Sequence, residues 1–193
     1  MTLNEKLILT DCDGVLLDWV YSFDQWMARH GYQKRRSDVY DLALAYGIEK
    51  GESKRLIRMF NESANIAYIP PLRDAIKYVR KLHEEHGFVF HAITSLSTDP
   101  FAVRAREENL RRLFGETAFE KVLCLDTGAD KDDALEPYRD TECFWIEDKI
   151  ENCDLGLELC LNSVLMAHDH NSDYVGNARR VQNWKVIYGM ITG

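Results

Sequence analysis

The stretch "KLILTDCDG" closes an apolar run with two aspartates, Asp11 and Asp13, directly before Gly14. Buried unpaired charge is expensive, so a purely structural need for this pair is hard to find. Three more polar groups end apolar runs in the same way: Thr94 and Ser95 in "FVFHAITS", Glu147 and Asp148 in "CFWIED", and Lys131 just after "KVLCLD". Carboxylates gathered at one point repel one another unless a hard cation sits among them. Mg²⁺ suits such a group, because it takes few carboxylates and keeps waters and phosphate oxygens. A carboxylate can also attack phosphorus and carry it as an aspartyl-phosphate. Residues two apart on a strand face the same way, roughly 7 Å apart. That spacing lets one of Asp11 and Asp13 attack a phosphoryl group while the other protonates the leaving oxygen. Lys131 and the Thr94 hydroxyl would then hold phosphoryl oxygens, with Ser95 as the alternative hydroxyl.

Five short apolar runs supply the strands that would position these groups: 6–11, 88–94, 121–126, 143–148 and 163–168. They are continuous rather than alternating, as expected of strands covered on both faces. Helical patterns fill the gaps. Leu72, Ala75, Ile76, Val79 and Leu82 form one stripe ending at Gly87, and 101–115 behaves alike. Strand and helix alternate, so the fold class is α/β with a mainly parallel five-stranded sheet. In such a sheet the carboxyl ends of the strands share one rim where ligands bind, and every candidate above lies there.

Residues 18–69 break the rhythm. Three helices are expected, at about 19–30, 38–46 and 51–67, with Ser37 capping the second and Gly31 and Gly47 closing the first two. Pro70-Pro71 forces an extended exit. The domain division is therefore a core of 1–17 and 70–193 with a small helical cap at 18–69. Trp19, Phe23 and Trp26 repeat at i, i+4, i+7, the stripe of a packed helix rather than a base-stacking platform. Tyr21 lies off that stripe and is the better substrate contact.

With the motifs placed, the chain resembles the haloacid dehalogenase-like (HAD) phosphohydrolases. "DCDGVLLD" is similar to their DxDG first motif, "HAITS" to the second, Lys131 in "GADKDDAL" to the third and "FWIEDKIEN" to the acidic fourth. The resemblance implies a Rossmann-like three-layer core with the first strand central. It also implies Asp11 as nucleophile, Asp13 as general acid and then base, and phosphate held by Thr94 and Lys131. Mg²⁺ would be bound by Asp11, the Asp13 backbone carbonyl and the fourth-motif acid. This chain has Glu147 where an Asp-Asp pair is commoner; Asp148 is expected to take the direct bond and Glu147 to reach the metal through water. The cap together with "WIEDK" is similar to the 5′(3′)-deoxyribonucleotidases, which suggests a (deoxy)nucleotide among small phosphorylated substrates. A dehalogenase needs no second aspartate, so Asp13 argues against that activity. Transfer of the phosphoryl group to another acceptor stays open, as does a non-catalytic binding module.

Plainer readings compete at single positions. Asp11 and Asp13 can form an Asx turn before Gly14. Lys131 can be an exposed helix-start lysine, although a cation there opposes the helix dipole and calls for an anionic partner. Lys121 and Lys149 are rivals for its role, and Asp130, Asp132 and Asp133 read as first-turn acids. His168 and His170 in "AHDHNSDY" form too small a set for zinc and read as a surface loop near the rim. Cys12 is expected to point into the core.

Composition limits the partners. The net charge of −8 excludes bulk attraction to a nucleic-acid backbone, which needs clustered Lys and Arg. No run is long enough for a membrane span. Five cysteines without a CxxC pair, and a start without a secretory layout, give the expectation of a reducing, cytoplasmic setting.

Overall fold

The computed structural model describes residues 6–193. Six parallel strands form one sheet in the order β3-β2-β1-β4-β5-β6. They are β1 (Leu7–Thr10), β2 (Val89–Ser95), β3 (Phe119–Leu125), β4 (Phe144–Glu147), β5 (Asn162–Met166) and β6 (Arg179–Val181). The α/β class and parallel sheet are as read from sequence, with one strand more than the five expected. The extra strand, β6, is three residues long and carries two arginines, so it shows no apolar run.

β1 is central and alternates between two cores. Ile8 belongs to the larger cluster, with Leu72, Ala75, Val79 and Leu82 of the segment leading into and forming α4 (Ala75–Glu84). The same cluster takes in Leu110 and Phe114 of α5 (Pro100–Phe114), and Trp184 and Ile187 of α8 (Trp184–Thr192). Leu7 and Leu9 belong to the other, with Leu135 of α6 (Asp132–Leu135) and with Leu159 and Leu161, which follow α7 (Ile150–Glu158). Period-two alternation therefore puts α4, α5 and α8 on one face and α6 and α7 on the opposite one. α8 had no counterpart in the sequence reading. Asp74 fixes its start by accepting from the Trp184 and Lys185 amides.

The 18–69 insert forms α1 (Trp19–Arg29), α2 (Leu42–Tyr46), α3 (Lys50–Asn61) and a 3-10 turn at Ala64–Tyr68. The expected cap Ser37 is not used: Asp41 caps α2, accepting from the Ala43 and Leu44 amides. Gly47 closes α2 at φ +66, a left-handed conformation suited to glycine. Trp19 and Phe23 are buried and stacked, and Phe60 meets both edge-on. These rings are continuous with the larger core cluster. Polar contacts also tie the insert to the β2–α5 and β3–α6 loops. The Asn61 amide donates to the Leu96 carbonyl, Ser97 donates to Glu62, and Arg58 pairs with Asp126.

Candidate active site

β1 stops at Thr10, but the ladder runs one residue further through the Asp11 amide, which donates to the Ile146 carbonyl at 2.9 Å. The chain then turns sharply. The Cys12 carbonyl accepts from the Leu16 and Leu17 amides, and the Cys12 side chain is fully buried, as expected. Asp13 thus sits in a turn, and the strand rule that would aim Asp11 and Asp13 the same way does not hold there. Gly14 follows at φ +76. A Cβ at this position would lie 2.3 Å from an Asp148 carboxylate oxygen, so only glycine lets the two loops approach this closely.

Asp11, Glu147 and Asp148 converge: one carboxylate oxygen from each lies within 4.8 Å of the others, and all three residues are buried. Lys131 lies among them at 2.9 Å from Asp11 and 2.8 Å from Glu147. This lysine is buried, so the exposed helix-start alternative is excluded, and the anionic partner demanded by the helix dipole is present. Its ammonium also lies 5.1 Å from the Trp145 ring. Burial works against the Lys131 charge, but Asp11 and Glu147 outweigh it and raise its pKa. Burial pushes Asp11 up to about 7 against the pull of Lys131, and the charges of Glu147 and Asp13 add to the rise. Asp148 is raised well above the usual range, by burial first and then by Glu147 and Asp11. Glu147 goes the other way: burial alone would raise it, yet Lys131 and two backbone amides hold it down.

The two fourth-motif acids have different surroundings. Glu147 accepts from Lys131, Asn152 and the amides of Asp148 and Lys149. Asp148 faces Gly14 and lies 3.5 Å from His170. Fully ionised, three carboxylates against one ammonium would leave two negative charges unbalanced; burial and that excess together raise Asp11 and Asp148. The set fits a divalent hard cation, with Asp148 the acid less occupied by protein donors.

Thr94 and Ser95 end β2 pointing to opposite faces. Thr94 lies on the face of Phe90 and Ala92, buried, and its hydroxyl has no hydrogen-bond partner among the described residues. Ser95 lies on the Ile93 face, and its hydroxyl donates to the Ala129 carbonyl at 2.8 Å, in the loop leading to Lys131. Tyr21 is 56% exposed and none of its described contacts reaches the acids. Of the rival lysines, Lys121 is exposed on β3, and Lys149 precedes α7.

Four residues at the site were not singled out from sequence, or were read differently. Arg106 of α5 is fully buried and forks onto Asp13, at 2.6 and 3.0 Å. Its trace in the sequence is a charge standing four residues from Ala102 and four from Leu110, inside a buried stripe. His168 and His170 are not on an exposed loop: both are half-buried and stack 5.3 Å apart. His168 meets the Gly14 carbonyl at 2.6 Å and His170 the Asp148 carbonyl at 3.1 Å, so together they brace the two loops that carry the acids. Tyr40, from the insert, stands edge-on to His170 at 5.1 Å. Its ring is largely exposed. Its hydroxyl is nonetheless held well above the ordinary tyrosine value, by low-dielectric surroundings first and then by Asp148, Glu147, Asp11 and Asp13. Tyr40 thus reaches the site through the histidine that flanks Asp148. No sequence period marks it, because it lies in the irregular stretch before α2.

Comparison with known proteins bears on the fold. No family model matches the chain. An uncharacterised 32.4 kDa protein of Enterobacteria phage T4 is 27% identical over 190 residues, covering 93% of this chain and 67% of that one. Among solved structures, a HAD-superfamily hydrolase from Ehrlichia chaffeensis superposes with a TM-score of 0.60 at 16% identity, over 99% of this chain and 97% of that one. A predicted phosphoglycolate phosphatase from Haemophilus somnus gives 0.67 at 12% identity, over 98% and 100%. CbbY from Rhodobacter sphaeroides, solved with phosphate, gives 0.61 at 17%, over 93% and 94%. The chain has the Rossmann-like fold of the HAD hydrolases. Among the described residues no helix is long and apolar enough to cross a membrane.

Proposed function

We propose that this protein hydrolyses a small phosphomonoester with the help of Mg²⁺, through an aspartyl-phosphate on Asp11. The observation that carries this reading is the Asp11 carboxylate at the strand rim, touched by the Lys131 ammonium and crowded by two further acids. Phosphatase and phosphate-bound neighbours of the same fold support it. In the reaction, an Asp11 oxygen bonds to phosphorus as the bond to the leaving oxygen breaks, and Asp13 gives that oxygen a proton. Water then attacks the phosphoenzyme, yielding a proton to Asp13 and freeing Asp11 and inorganic phosphate. Lys131 stabilises charge on the transferring group. Thr94, whose hydroxyl is uncommitted, is the second phosphate donor; Ser95 is the alternative. Asp11, Asp148 and the Asp13 carbonyl would hold Mg²⁺ directly and Glu147 through water. A bound Mg²⁺ would neutralise the gathered charge and orient a phosphoryl oxygen.

Residues 18–69 act as the cap that selects the substrate, a (deoxy)nucleotide being the first candidate. Tyr40, which meets His170 beside Asp148, and Tyr21 are the cap side chains proposed to contact substrate. The five unpaired cysteines, two of them buried, suit a reducing cytoplasm. A screen of nucleotides, sugar phosphates and small organic phosphates, with and without Mg²⁺, tests the proposal through phosphate release. Release that requires Mg²⁺ supports it. If no compound yields phosphate and acetyl phosphate leaves no label on Asp11, the chain is a binding module. If the label forms but moves only to an added acceptor, it is a phosphotransferase.

A further inference from the structure

Arg106 is the largest charged side chain sealed inside this molecule, and its fork closes on a single carboxylate, that of Asp13. Its Nε has no hydrogen-bond partner among the described residues. Fully buried, its guanidinium has no solvent to replace that partner. Stability does not account for such a residue. A buried ion pair is often no better than an apolar side chain of similar volume, and here one N–H is left unmet. Asp13, by contrast, keeps about a quarter of its side chain open to solvent at the rim. A planar fork that engages both oxygens fixes the rotation of a carboxylate, which a point charge cannot do. The turn at Cys12 makes such a device necessary, since Asp13 has left the strand that would otherwise have aimed it.

We infer that Arg106 is a positioning residue: from inside α5 it orients the Asp13 carboxylate toward the leaving-group oxygen, without itself touching substrate. This rests on the proposed role of Asp13 as acid and base. The inference concerns orientation, so its signature is dependence on the leaving group.

The test compares wild type, Arg106→Met, Arg106→Lys, Asp13→Asn and the Arg106→Met/Asp13→Asn double variant. Each is assayed on p-nitrophenyl phosphate, whose leaving group needs little protonation, and on an alkyl phosphate turned over by wild type. Positioned acid–base groups contribute about 10²–10⁴-fold. Arg106→Met is therefore expected to lower kcat on the alkyl phosphate by about 10²-fold while changing p-nitrophenyl phosphate by only about 2–3-fold. It should add nothing in the Asp13→Asn background. Arg106→Lys, which keeps the charge but not the fork, should fall between. Equal losses on both substrates, or the same loss with and without Asp13, would show a merely structural arginine and overturn the inference. If Arg106→Met does not fold, Arg106→Lys decides alone: selective loss on the alkyl phosphate supports positioning, and an unchanged or uniform rate refutes it. The single variant Asp13→Asn separates the two failures. If it keeps full turnover of the alkyl phosphate, the acid–base reading of Asp13 is what has failed.

Discussion

Lys131 and Arg106 flank the same turn from opposite faces of the sheet, each buried against one of its two aspartates. Lys131 comes from the loop before α6 and is a point charge shared by Asp11 and Glu147. Arg106 comes from the middle of α5 and gives its whole fork to Asp13. On the α6–α7 side, one ammonium faces three acids, and the excess carboxylate charge is left for a cation to meet. On the α5 side the charges are matched one to one, and what is gained is orientation. One turn thus divides attraction from aim.

The strongest way to break this comparison is at its centre. Asp11→Asn is expected to abolish phosphate release from every substrate while the circular dichroism spectrum and melting temperature stay near wild type. Retained turnover would show that the covalent step lies elsewhere.

Next comes the cation on the attracting side. Lys131→Met leaves Asp11 and Glu147 facing each other without neutralisation. Loss of one such electrostatic contact is expected to lower kcat by about 10²–10³-fold. Lys131→Arg should not restore it, because the larger guanidinium cannot fit where a 2% exposed ammonium bridges two acids against Trp145. Wild-type rates for Lys131→Arg would mean that charge alone matters on this face.

The two fourth-motif acids sharpen the same side. Asp148→Ala should raise the Mg²⁺ needed for half-maximal rate by more than Glu147→Ala does. Loss of an outer contact still weakens metal affinity or activity by about 10–100-fold. Metal titrations of the two variants check the order, and the reverse order would make Glu147 the direct ligand.

The smallest expected effect concerns the brace between the two acid-bearing loops. Burial holds His168 down to about 4, against its bond to the Gly14 carbonyl; Arg73 and His170 add to the depression and Asp18 opposes it. Above about pH 6.5 the ring is neutral folded or unfolded, and stability is unaffected. Between about 6.5 and 4 only the unfolded chain takes the proton, so stability falls as pH falls, then levels below 4. His168→Gln can still donate to the Gly14 carbonyl but does not titrate. The drop in urea midpoint from pH 7 to pH 5 should be smaller in this variant than in wild type. An equal drop would assign the acid sensitivity to other groups.

Most strands could be read in advance because each is a continuous apolar run, and burial on both faces of a parallel sheet demands such runs. β6 escaped because an edge strand of three residues with two arginines carries no hydrophobic signal. The Asp41 cap of α2 was missed for a related reason: Ser37 and Asp41 are both good caps, and only the chain path chooses between them. Strand ends also marked where Asp11, Thr94, Ser95, Glu147 and Asp148 would stand, since residues at the carboxyl edge of one sheet meet whatever their separation in sequence.

By itself, then, the sequence determined the alternation of strand and helix, the insert after the first strand, and the row of polar residues along one rim. Those follow from local patterns of apolar and polar side chains. Tertiary structure alone decided which cation serves which acid, that Asp13 leaves the strand, that His168 and His170 turn inward, and that Tyr40 meets His170. Such pairings depend on the packing of segments distant in the chain. Arg106 meets Asp13 across 93 positions because α5 lies against the sheet beneath that turn, a contact no local pattern encodes.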